Sequence, residues 1–293
     1  MSQETENIRL IVNADDFGYF RSVSMGILEG AQRGIITATG IMANSPLFDE
    51  HMQWLKQYPQ LDPGVHLNAT HGLPLSEIMQ HKLAAFDGQF PRKYALIGAM
   101  VSGKISTTDI ATEWRAQITR CVEAGITLQF LNSHEHLHML PPLFKVVQQL
   151  ALEFGIPHVR YSSPEIKGRL NSGGAIRNAI LLGLNLVNRR AALPCPPARL
   201  LGMNESGNLT IGYFKSVFPT LKSGNVYELM CHPGHLDPQE IDTPELLAYH
   251  NWESELALLC SDEFLALCRT YHIELTGYRH QGIARSSTRH IAS

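Results

Sequence analysis

Leu128-Gln129-Phe130-Leu131-Asn132-Ser133-His134-Glu135-His136-Leu137-His138 is the stretch on which the fold turns. It has two incompatible readings. His134-Glu135-x-x-His138 matches the H-E-x-x-H pattern of zinc peptidases, which needs a helix so that i and i+4 share a face. The run Leu128–Leu131 reads instead as a strand, and Pro141 and Pro142 obstruct any helix through the site. On that reading Asn132-Ser133-His134 ends a strand and sets a histidine at the mouth of an α/β site. In an extended segment His134, His136 and His138 share one face. One of them can bind a metal while the others position substrate or support that ligand from behind.

The flanking sequence favours the strand. Short apolar runs at 8–12, 36–42, 65–67, 128–131, 158–161, 199–203, 226–231 and 273–276 read as strands. Helical periods lie between them. Ser24 can cap a helix that stops at Gly34, and Pro46 opens another running to Gln57. Asp109 starts a third, with Ile110, Trp114, Ile118 and Val122 at i+4 spacing and Gly125 closing it. Pro142 opens a fourth that ends at Gly155. Residues 176–190 and 244–271 are also helical, the latter with a break near Ser261. Such alternation implies a parallel sheet, either a (β/α) barrel or a doubly wound sheet. No glycine-rich fingerprint follows the first strand, which weakens the doubly wound nucleotide-binding option.

Composition excludes several classes. The 293 residues are 44% hydrophobic with a net charge of −3, so a broad nucleic-acid surface is not expected. The five cysteines are scattered and form no C-x-x-C pair, which fits buried thiols in a reducing compartment. No signal segment opens the chain and no apolar run reaches roughly 18 residues. A cytoplasmic protein without a transmembrane segment is expected.

Polar residues gather where the strands end: Asp15 and Asp16 after the first, His66 and Asn68 around the third, His134 after the fourth, Arg160 on the fifth and His232 after the seventh. C-terminal strand ends of parallel α/β folds converge on one face, where active sites are built. Adjacent carboxylates repel unless they share a cation or proton. Asp15 and Asp16 therefore read either as a turn with a helix cap or as a metal ligand beside a base. Asp16, His66 and His134 can supply a two-histidine, one-carboxylate metal site with positions left for water.

Four ordered motifs, Asn13-Ala14-Asp15-Asp16-Phe17-Gly18, Gly64-Val65-His66-Leu67-Asn68, Asn132 to His138 and Glu228 to Gly234, resemble those of the YdjC-like carbohydrate deacetylases. That family includes chitooligosaccharide and hopanoid-associated deacetylases. The resemblance runs from about Arg9 to Tyr278. It implies a single α/β domain over 1–282, a distorted, TIM-barrel-like (β/α) barrel. About 162–197 would be an irregular insertion and 283–293 a flexible tail.

The implied activity is metal-dependent hydrolysis of an N-acetyl group on an amino sugar. The implied ligands of one divalent ion, magnesium or zinc, are Asp16, His66 and His134. Asp15 is the implied base and His232 the acid. Arg160 is expected to orient Asp15 or to bind substrate, with His136, His138 and Asn68 as further substrate contacts. Asn132 and Glu135 depart from the chitooligosaccharide branch, which carries Asp and His there, and this puts that particular substrate in doubt. The apolar stretch 176–190, with Arg177, Arg189 and Arg190 at its ends, reads as a packing helix or as a lid for a lipid-linked sugar or membrane surface. A homodimer is compatible with the sequence. The alternatives are a zinc peptidase using Glu135 as base and a sugar-binding module without catalysis.

Overall fold

The computed structural model describes residues 7–84, 87–165, 172–189 and 193–281. The first half of the chain runs β1 (Ile8–Phe17), α1 (Arg21–Gln32), β2 (Ala38–Ile41), α2 (Phe48–Leu55), β3 (Asp62–Leu67), α3 (Glu77–Leu83), α4 (Lys93–Val101), α5 (Thr107–Glu123) and β4 (Phe130–Ser133). After a 3-10 turn at His134–Met139 come α6 (Pro141–Glu153), β5 (His158–Val159), α7 (Ser172–Asn188), β6 (Arg199–Leu201), α8 (Ile211–Val217) and β7 (Val226–Cys231). The chain continues through α9 (Pro244–Tyr249), α10 (Trp252–Leu259) and α11 (Asp262–Thr270) to β8 (Ile273–Leu275).

All strand pairs are parallel, in the order β5-β4-β3-β2-β1-β7-β6. β8 pairs with the first residues of β1, Ile8 to Leu10, below the point where β2 joins at Asn13. Among the described residues no ladder joins β5 to β6, so the barrel is open on that side. The architecture is the expected distorted (β/α) barrel. The strands are buried on both faces, as a helix-covered parallel sheet requires. Where α1 crosses the loop after β7, Gly26 and Gly234 meet with no room for a side chain: a Cβ on Gly26 would lie 2.5 Å from Gly234 Cα.

The local signals mostly act as expected. Ser106 and Asp109 form a reciprocal capping box on α5, and prolines fill the first turn of α6. Ser261 caps α11, so the expected break falls there. A second break at 250–251 splits the remaining helix into α9 and α10. Ser24 is no cap: it lies inside α1, where its hydroxyl accepts from Gly18 N and donates to Phe20 O. α3 and α4 lie where no helix was expected. The tail 283–293, and residues 166–171 and 190–192 of the insertion, fall outside the described residues.

Candidate metal centre and its charged support

β1 positions the two aspartates through a bulge. Its register against β2 passes from Ala14↔Thr39 to Phe17↔Ile41, three residues opposite two. Neighbouring residues of a regular strand point to opposite faces. The extra residue, with Asp16 in the left-handed region (φ +68°), turns both carboxylates into the barrel mouth.

Asp16 faces two histidines. Its Oδ1 lies 3.2 Å from His66 Nε2 and 3.0 Å from His134 Nδ1, and the three possible ligand atoms all lie within 4.8 Å of one another. His66 comes from the end of β3 and His134 from the residue after β4. Burial resists charge on Asp16, but the His134 and His66 rings hold its carboxyl well below the usual range. His134 is correspondingly raised by Asp16 against the effect of burial.

Asp15 is gripped by four donor contacts. Arg160 forks onto both its oxygens at 2.5 and 2.9 Å, and the Asn13 and Asn132 amides reach Oδ1 at 3.1 and 2.9 Å. Burial opposes ionisation, yet the Arg160 and His66 charges prevail and lower the Asp15 pKa to about 2. Arg160 also donates through Nε to Glu228 of β7 at 2.6 Å. It follows directly on β5, at the other side of the sheet, so this guanidinium spans the barrel interior. Asn132 orients two partners at once: its amide oxygen lies 2.7 Å from His66 Nδ1 while its NH2 holds Asp15. With a proton on Nδ1 donating to that oxygen, His66 Nε2 would be free to meet a cation beside Asp16.

This set suits a divalent cation. Three buried carboxylates, Asp15, Asp16 and Glu228, stand against one guanidinium, an excess of two negative formal charges. Two imidazoles and a carboxylate are donors that zinc accepts readily, and the oxygen partners also admit magnesium.

Several expected substrate contacts are engaged inside the protein. Arg160 has a fully buried side chain with its donors on Asp15 and Glu228, which fixes the direction of the Asp15 carboxylate. His138 is buried between Ser133 Oγ (2.6 Å) and the Arg160 carbonyl (3.0 Å), and burial lowers its pKa to about 3. Asn68 spends its side chain on Asn44, Thr70 and His71, shaping the loop after β3. His136, half-buried, bonds Ser162 Oγ and keeps some exposure.

The segment after His134 is a kinked 3-10 turn, neither an α-helix nor a strand. Glu135 and His136 both take left-handed φ values, 54° and 56°, so the three histidines do not share a face as they would in an extended segment. The same turn removes the helix that the peptidase pattern needs. Glu135 points to the rim, paired with Lys93 of α4 at 2.9 Å.

His232, the expected acid, completes the mouth together with residues that were not expected, His250, His71 and Tyr19. His232, after β7, takes its position from a backbone bond to the buried Glu255 (2.7 Å), whose pKa burial raises. Its ring lies 4.9 Å from that of His250, which stacks on Trp252 and is lowered to about 3 by burial and by His232. The Nδ1 atoms of both rings are buried without a protein partner. On the opposite side Tyr19 packs on His134 and bonds His71 at 3.1 Å. Burial, Asp16 and Glu135 raise the Tyr19 pKa, so the phenol stays neutral. Tyr19 directly follows the Asp-Asp-Phe-Gly motif, a signal available in the sequence. His250 sits in no motif.

Fold and site together define an open α/β barrel with a candidate metal centre at the C-terminal ends of its strands. The chain belongs to the YdjC-like family, whose model matches residues 9–270. A carbohydrate deacetylase of Geobacillus stearothermophilus is 34% identical over 78% of this chain and 80% of its own length. One from Brevibacillus brevis is 29% identical over 94% of this chain and all of its own. A solved structure from Enterococcus faecalis V583, whose description assigns it as a proposal to cellobiose-phosphate cleavage, superposes with a TM-score of 0.72. It is 26% identical and covers 93% of this chain and 98% of its own.

Proposed function

We infer that this chain is a carbohydrate deacetylase, a hydrolase that removes the N-acetyl group of an amino sugar. The observation that carries the reading is the Asp16, His66 and His134 cluster beside an aspartate held by Arg160, in a chain whose relatives bear that name. Asp16, His66 and His134 would hold one divalent ion, zinc or magnesium, which when bound supplies Lewis-acid polarisation and makes nearby water more acidic. Asp15 accepts the proton of the attacking water. With a pKa of about 2 it is a weak base but stays ionised at any working pH, and Arg160 fixes its direction. Asn132 keeps Asp15 and the His66 ring in register.

His232 gives its proton to the departing amine nitrogen. The C–N bond breaks, acetate leaves and the free amino sugar remains. Glu255 fixes the His232 backbone. Tyr19, His71 and His136 are placed to meet the sugar, and the Glu135–Lys93 pair marks the rim where branch-specific groups would enter. The sugar is an oligosaccharide unit or one carried on a lipid.

Acetate release from a panel of N-acetylated amino sugars, with matched Asp15→Asn and Glu135→Gln variants, tests the reading. A deacetylase loses activity with Asp15→Asn and keeps it with Glu135→Gln. The reverse pattern would move the base from Asp15 to Glu135 and overturn the reading.

A further inference from the structure

α7 is built inside out. Its polar side chains turn toward the body of the protein: Asn178 holds the Glu165 backbone through both its amide atoms, Arg177 donates to Met203 O and Asn188 donates to Met139 O. Its outward face is apolar. Ile176, Ile180, Leu182, Leu186 and Val187 are all more than half exposed, from 55% at Leu182 to 65% at Val187. A helix at a protein–water boundary normally shows the opposite arrangement. An exposed apolar face of this size marks a contact surface. At 17 residues α7 is too short and too firmly bonded beneath to cross a bilayer, and no helix among the described residues qualifies as a span.

Charge selects the partner. Between Glu165 and Glu205 the sequence has six basic residues (Lys167, Arg169, Arg177, Arg189, Arg190 and Arg199) and no acidic one. The whole chain, by contrast, has 24 basic and 27 acidic residues. Arg189 is exposed just past the end of α7 and Arg199 at the start of β6. Two copies meeting through this segment would bring like charges together. An anionic surface meets both features at once.

We propose that the outer face of α7 docks in the interface of an anionic lipid bilayer, helix axis parallel to the surface, with Arg189 and Arg199 on the headgroups. α7 packs on α6 and on the His134–Met139 turn, so docking there sets the barrel mouth close to the membrane. The proposal stands on α7 alone and does not depend on which reaction the barrel performs.

Vesicle flotation of the full chain tests it, with phosphatidylcholine vesicles with or without phosphatidylglycerol. The wild type should float with the anionic vesicles, stay behind with the neutral ones, and detach as salt rises. Ile176→Ser/Ile180→Ser/Val187→Ser should weaken partitioning by about tenfold or more. Arg189→Glu/Arg199→Glu should weaken it in a salt-dependent way. Both sets lie at exposed positions, so circular dichroism should be that of the wild type. If the first set misfolds, the second still decides. Failure of the wild type to float, or flotation undiminished in both variants, overturns the proposal. So does a wild-type dimer in size exclusion that the apolar variant turns into a monomer, because a second copy would then own the face.

Discussion

Arg160→Met removes the guanidinium that holds both Asp15 and Glu228. The side chain is fully buried, and both carboxylates lose charge-assisted bonds of 2.5 to 2.9 Å. Removing one partner of a buried ion pair costs about 3–5 kcal/mol, because the surviving charge stays desolvated. At roughly 2–4 °C per kcal/mol for a chain of this size, the melting temperature should fall by roughly 6–20 °C. The penalty comes from the stranded carboxylates and not from lost packing. Arg160→Met/Glu228→Gln should therefore be more stable than Arg160→Met alone. A divalent cation should also raise the melting temperature of Arg160→Met more than that of the wild type, since it meets a larger uncompensated negative charge. Thermal and urea unfolding at pH 7, with chelator and with added zinc or magnesium, read all three effects. Stability within about 1 kcal/mol of wild type, a difference typical of a surface substitution, would refute the reasoning.

Three further outcomes follow from the same geometry. Asp15→Asn should lower acetate release by ~10²–10⁴-fold while the protein still retains its metal, read by steady-state rates beside elemental analysis. Gly26→Ala drives a Cβ into the Gly234 backbone and displaces the loop bearing His232. It should cost about 1–3 kcal/mol and reduce turnover, whereas Gly34→Ala, with open space around it but φ +75°, should strain only its own turn. The metal-free protein should also be acid-labile through Asp15. Its pKa is depressed from 3.8 to about 2, so its contribution, about 2 kcal/mol, is complete above about pH 5 and is lost as pH falls through 2. Urea unfolding of wild type against Asp15→Asn across that range should show the difference closing.

The barrel was legible because its signals are local. Apolar runs bounded by Gly and Pro fixed the strands, and the polar residue at each strand end could be read one strand at a time. What each polar residue touches was not legible, because its partners arrive from other strands. Arg160 read either as an orienter of Asp15 or as a substrate contact; its bonds to Asp15 on β1 and Glu228 on β7 come from strands far away in sequence. The hydrogen-bond partners of Asn68 and His138, Asn44 and the Arg160 carbonyl, are likewise distant, 24 and 22 residues away. The turn at Glu135 and His136 escaped notice because nothing but φ marks it, and neither residue is a glycine. His250 lies in the break between α9 and α10, which no proline or glycine announces.

The most direct test of the central claim is acetate release from N-acetylated amino sugars by the protein as purified, after chelation, and after zinc or magnesium is returned, with Asp16→Asn in parallel. The account predicts release that chelation abolishes and the cation restores. Asp16→Asn should neither hold the metal nor release acetate. Acetate release that survives both chelation and Asp16→Asn would contradict it, as would a metal-loaded protein that frees acetate from no acetylated sugar.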